Sequence, residues 1–126
     1  MQQSVSMNTY NRRRSPRVPM ALPVRLMCDG IEHETMIVNI NEHGLFVRTH
    51  LDLDVGERVQ LSIELPDGII QAIVVVRSPG PSSDGRGAGV ELHEMTDLDR
   101  ARWRRNYRLR LKGLRVDRSG EEEAYL

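Results

Sequence analysis

The chain has 126 residues, 29% of them charged and 39% apolar, with five aromatic side chains. At roughly 100–200 residues per domain that is one compact domain with its ends. A single cysteine, Cys28, excludes a disulfide framework or a thiolate metal site, and no apolar run approaches the ~20 residues of a membrane helix, so the expectation is a soluble cytoplasmic protein.

The formal charge is zero overall but segregated along the chain. Residues 1–28 carry five arginines and no acids, residues 29–96 twelve acids against four arginines, and residues 97–126 nine basic residues against six acids. Basic ends around an acidic middle either fold back on it or receive an anionic partner.

Residues 1–11 are polar and aperiodic, which predicts a disordered tail. In Arg12-Arg13-Arg14-Ser15-Pro16-Arg17-Val18-Pro19 the prolines fix their own φ and bias the preceding residues toward extended backbone, so 12–19 reads as a basic, extended arm. Over residues 20–94 the apolar period becomes 2, the mark of strands buried on one face. Leu22, Val24, Leu26 and Cys28 alternate with polar or outward positions, and Asp29-Gly30 is a hairpin turn. Met36, Val38 and Ile40 form the predicted inner face of a second strand ending at Asn41-Glu42-His43-Gly44. Further strands are predicted at 45–49, 58–65, 69–77 and 88–94, with a long exposed loop over 79–87. The fifth has apolar side chains on both faces, so something must cover the outer one. Six strands with turn chemistry between them and no intervening helix predict an all-β, antiparallel small barrel.

The period then changes. Thr96 can cap a helix over 97–112, with acids in its first turn, arginines toward its end and Gly113 as its stop. Trp103, Tyr107, Leu111 and Leu114 make an apolar stripe suited to covering strand five, or to a homodimer seam. Residues 115–126 read as a polar tail.

Catalysis is rejected on residue types. The histidines at 33, 43, 50 and 93 have no metal-ligand spacing, Cys28 falls on an inward register as a small hydrophobe, and the serines lack a nucleophile-elbow context. The expectation is a protein that is not an enzyme, with no catalytic residue, no metal and no cofactor.

Two weak signals gain weight together. Asn39 and Asn41 share the outer side of the second strand, opposite Val38 and Ile40, and Gly44 can take positive φ and let backbone approach a ligand. Two carboxamides and exposed backbone could recognise a base edge. Arginine can fork onto phosphate, pair with guanine O6 and N7, or stack on a purine. Arg13 and Arg17, four residues apart in extended chain, are separated by up to ~14 Å, so one ligand with several anionic or guanine features could bridge them. By themselves, an arginine cluster is most often a solvated tail and an Asn-Gly turn an ordinary hairpin.

Arg13-x-x-x-Arg17 followed after about twenty residues by Asn39-x-Asn41-x-x-Gly44 resembles the PilZ domain, whose pattern is R-x-x-x-R then D/N-x-S-x-x-G. The resemblance runs over residues 12–105 and includes 39–49, Leu65-Pro66-Asp67-Gly68 and Gly87-Ala88-Gly89-Val90-Glu91-Leu92. It implies a six-stranded antiparallel PilZ-type β-barrel with a C-terminal helix that binds the bacterial second messenger cyclic di-GMP, the domain spanning 12–114. It further implies that Arg13 and Arg17 contact phosphate and guanine, that Asn39, Asn41 and Gly44 form the platform, and that Arg12 stacks on a second nucleotide. The departure is Asn41, where the family has serine.

Three functions follow as expectations. The leading one is a receptor whose arm orders on cyclic di-GMP and signals to a protein of motility, polysaccharide or transcription control, as monomer or homodimer. The second is an adaptor that has lost nucleotide binding through Asn41 and acts by protein contact. The third, disfavoured, is a basic-armed barrel binding nucleic acid.

Overall fold

The computed structural model describes residues 15–82 and 85–124, and side chains over 15–79 and 86–113. Arg12, Arg13 and Arg14, the predicted tail over 1–11 and part of the 79–87 loop lie outside these. Six strands, β1 (Val18–Cys28), β2 (Ile31–Ile40), β3 (Gly44–Arg48), β4 (Arg58–Leu65), β5 (Gly68–Ser82) and β6 (Gly85–Glu94), close into an antiparallel barrel in the order β1-β2-β3-β6-β5-β4. One helix, α1 (Asp97–Ala124), follows.

Period-2 alternation places β1 and β4 correctly. Leu22, Val24 and Leu26 point inward with Val59, Leu61, Ile63 and Leu65, all at most 6% exposed. Burying an aliphatic side chain of this size contributes about 1.5–3 kcal/mol. Asp29 and Gly30, both left-handed at φ 51° and 76°, form the two-residue hairpin turn between β1 and β2.

In β2 the expected inner face is corrected. Ile37 and Ile40 are fully buried, Met36 is 39% exposed and Val38 is half-buried. The cause is a bulge: Ile37 pairs with Val47 and Asn39 with Phe46, so Val38 is the extra residue. Two residues opposite one break strict alternation and let Ile37 and Ile40, three apart, both face inward. Asn39 remains on the outer wall.

The predicted loop over 79–87 is largely strand, because β5 and β6 stay paired out to Ser82 and Gly85. The arm likewise gives up Val18 and Pro19 to β1. Beyond the strands, Asp99 N–H bonds Thr96 Oγ1 at 3.0 Å, the expected helix cap. The helix does not stop at Gly113. Glycine in a helix interior costs only about 1 kcal/mol against alanine, and Gly113 is not among the left-handed residues a glycine stop requires. The chain predicted as a polar tail is helical to Ala124, and the last turn holds no basic residue.

Antiparallel order puts the start of β1, the β2–β3 turn, the β4–β5 turn and the end of β6 at one end of the barrel. Helix α1 crosses that end instead of blanketing β5, whose outward Ile69 remains 54% exposed. Trp103, fully buried, and Tyr107, 3% exposed, join the barrel core as its seal, so neither is available to a dimer seam. Each such aromatic buries roughly 150–250 Å², worth about 4–6 kcal/mol. Asn106 Nδ2 donates to Asp67 at 3.0 Å, and Asp99 accepts from Gln71 N–H at 3.2 Å, fixing the helix to the β4–β5 hairpin. At the other end, Leu53 from the β3–β4 connection enters the core.

Candidate functional site

The β2–β3 turn is held by its own side chain and by three other segments. Asn41 Oδ1 accepts from His43 N–H at 2.9 Å, an Asx turn, and Asn41 N–H bonds Gly44 O at 2.9 Å. Serine makes the same local bond more weakly, so Asn41 meets the turn's structural need in the place of a hydroxyl. The Asn41 carbonyl accepts from Trp103 Nε1 at 3.1 Å, Glu42 N–H donates to Ser15 Oγ at 2.7 Å, and the His43 carbonyl accepts from Leu92 N–H at 2.8 Å. Six backbone groups of the turn are therefore engaged within the protein. Less of the turn backbone is open to a ligand than the sequence reading expects.

Gly44 is needed for a different reason from the expected positive φ. It is not among the left-handed residues, and a Cβ on it would run into the Val90 carbonyl of β6. Its lack of a side chain lets β3 approach β6.

The root of the arm is tied to the same place. Ser15 is 3% exposed under Glu42, Tyr107 OH donates to the Pro16 carbonyl at 2.7 Å, and Arg110 Nε donates to the Pro19 carbonyl at 3.1 Å. Arg104 Nε lies 3.8 Å from Glu42 Oε2. Helix α1 thus holds the turn and the arm root as one unit.

Above this unit, on the wall made by β2, β3, β6 and β5, is a cleft of about 860 Å³. Arg17, Asn39, Asn41 and Gly44 all line it, joined by Ser15, His43, Arg77, Ser78 and Glu91. Asn39 is 8% exposed, and among the described residues no hydrogen bond holds its carboxamide. Arg77 donates through Nε and Nη2 to Glu91 Oε1 at 2.9 and 2.7 Å. A smaller depression of about 430 Å³ over β1, β2 and β4 contains none of the motif residues.

His43, Arg77, Ser78 and Glu91 were missed by the sequence reading. For the last three the signal available was the outward register of β5 and β6, but only the pairing of Gly44 with Glu91, and of Gly89 in turn with Ser78, brings β6 and then β5 beside the motif. Cys28 is only half-buried, and its thiol is pushed up by desolvation first, then by the carboxylates of Asp29 and Glu57 and a hydrogen bond to Asp29. Among the described residues no group of three or more His, Cys, Asp or Glu side chains could hold a metal ion, and no helix is long and apolar enough to cross a membrane.

A closed barrel with a helix across one end and a polar, ligand-sized cleft on its wall defines a small binding module. The model of the PilZ domain family matches residues 11–109, and the chain belongs to that family, whose members are binding and receptor proteins. Comparison with curated protein sequences finds no match. Among solved structures, the chain is similar to the Bacillus subtilis inhibitor of motility MotI/DgrA, at 27% identity and TM-score 0.65, covering 80% of this chain and 52% of that one. It is similar in fold to Escherichia coli YcgR in complex with c-di-GMP, at 14% identity and TM-score 0.67, covering 90% and 50%. The PilZ domain of YcgR with c-di-GMP aligns at 13% identity and TM-score 0.58, covering 90% of this chain and 97% of that one. The chain spans about half the length of the first two.

Proposed function

We propose that this protein is a non-enzymatic receptor for cyclic di-GMP, bound in the cleft over the β2–β3 turn. The observation that carries the reading is the convergence of Arg17, Asn39, Asn41 and Gly44 on one cleft whose rim is tied to the arm through Ser15. Arg13 stands two residues before Ser15 in the sequence, a span of at most about 7 Å of extended chain. Arg13 and Arg17 bind phosphate and guanine there, and Arg12 stacks on a second nucleotide. The segment ahead of Ser15 orders over the ligand and changes the surface shown to a protein of the motility machinery, a partner class supported by the likeness to an inhibitor of motility.

A second reading is favoured by one observation: Asn41 is bulkier than the motif serine and its oxygen is committed to His43. On that reading the protein is an adaptor that acts without nucleotide. Calorimetric titration with cyclic di-GMP, GTP and a DNA duplex separates the two. Selective dinucleotide binding by the wild type, lost in Arg13→Ala, is the expected result. Two nucleotides per chain are expected, and a stoichiometry of one removes the role of Arg12. No dinucleotide binding by the wild type, with recovery in Asn41→Ser, overturns the receptor reading in favour of the adaptor. Salt-sensitive duplex binding points instead to nucleic acid.

A further inference from the structure

The β2–β3 turn has little backbone left with which to read a base, and the Asn39 carboxamide offers one acceptor oxygen beside a donor NH2, where the guanine edge presents two donors side by side. Guanine presents two donors on its Watson–Crick edge, N1–H and the 2-amino group, and an ionised carboxylate is an acceptor-only partner with about four lone-pair sites. Among the described residues that line the cleft, Glu91 is the one carboxylate. It is the register partner of Gly44, so both lie on the outer wall, and the residue opposite the carboxylate has no side chain to obstruct a base. Arg77 holds it through two bonds that both end on Oε1. Among the described residues Oε2 has no hydrogen-bond partner, and it remains available as an acceptor.

We propose that Glu91, positioned by Arg77, is the guanine-selecting residue of the cleft, accepting from the N1–H and 2-amino edge of one base of the cyclic dinucleotide. This rests on the cyclic di-GMP reading above and adds to it a base-specific contact outside the two motifs. The Arg77 charge offsets the carboxylate, so the cleft keeps its attraction for phosphate while gaining an acceptor. Adenine sets a lone pair at N1 where guanine has a donor, so the same carboxylate repels cyclic di-AMP, discrimination by an unfavourable contact as much as by a favourable one.

The test is calorimetric titration of wild type, Glu91→Gln and Arg77→Gln with three probes: cyclic di-GMP, cyclic di-AMP, and cyclic di-IMP, whose hypoxanthine lacks the 2-amino group. Wild type is expected to prefer cyclic di-GMP over cyclic di-IMP by about 10-fold or more. Glu91→Gln is expected to lose about 10- to 100-fold in cyclic di-GMP affinity and a smaller factor toward cyclic di-IMP, which keeps N1–H but has no 2-amino group, so that the preference narrows toward unity. Arg77→Gln is expected to narrow the same preference by a smaller factor. That ratio is a readout a merely structural cross-strand ion pair does not move. Thermal unfolding of both variants is expected to match wild type, because the pair is half exposed at 57% and 48%. Wild type that binds cyclic di-GMP, with a Glu91→Gln variant that keeps full base preference, overturns this proposal and leaves the receptor reading standing. Wild type that binds no cyclic dinucleotide overturns both.

Discussion

Trp103 Nε1 donates to the Asn41 carbonyl at 3.1 Å, joining the helix that seals the barrel to the turn that floors the cleft. The indole is fully buried, so its N–H requires a partner and the turn supplies it. Trp103→Phe keeps most of the apolar volume but leaves the carbonyl without its donor. The expected loss is about 1–3 kcal/mol, read as a lower urea midpoint at unchanged slope. Trp103→Ala is expected to cost about 3–5 kcal/mol. Wild-type stability in Trp103→Phe would show that the bond contributes nothing net.

Gly44→Ala places a methyl group against the Val90 carbonyl, a backbone atom that moves only if β3 and β6 separate. A loss of about 1–3 kcal/mol is expected in chemical unfolding. Gly30→Ala is the matched comparison for left-handed strain without crowding, since nothing lies within 4 Å of its added Cβ.

Ser15→Ala removes the bond from Glu42 N–H to the arm root while leaving every arginine in place. Stability should fall by about 1 kcal/mol, and cyclic di-GMP affinity by roughly 3- to 10-fold. Unchanged affinity in a variant of reduced stability would mean that ligand binding is independent of this tether.

Asn41→Ser retains a local side-chain bond to the His43 N–H, and Asn41→Ala does not. The serine variant is therefore expected within about 0.5 kcal/mol of wild type and the alanine variant about 1 kcal/mol below it, measured by urea unfolding.

Cys28 titrates above the ordinary thiol range, so at neutral pH it holds less thiolate than a free cysteine. The thiolate is the nucleophile. Iodoacetamide labelling at pH 7 should run slower than for cysteine in a short peptide and should reach its half-maximal rate at a higher pH. Glu57→Gln is expected to speed it, by removing one of the two neighbouring negative charges.

The barrel was legible wherever one face of a strand is wet and the other dry, as in β1 and β4. It was misread in β2 because the Val38 bulge is a choice about hydrogen-bond register, visible only once Phe46 is seen opposite Asn39. The helix end was misplaced because Gly113 is a weak stop whose effect depends on whether the backbone turns left-handed there. Of the cleft, Arg17, Asn39, Asn41 and Gly44 were readable as a spaced pattern along the chain. Arg77 and Glu91 were not, since they come from strands paired at long range and no local pattern marks them.

Ser15 sits on the cleft wall with its hydroxyl under Glu42, so the described part of the chain begins beside the cleft. A fusion partner joined directly ahead of Ser15 would crowd that opening, whereas one joined after Ala124 stands thirteen helical residues beyond Leu111, the last described α1 side chain packed on the core. Surface immobilisation for kinetic measurements should therefore use the carboxyl-terminal side.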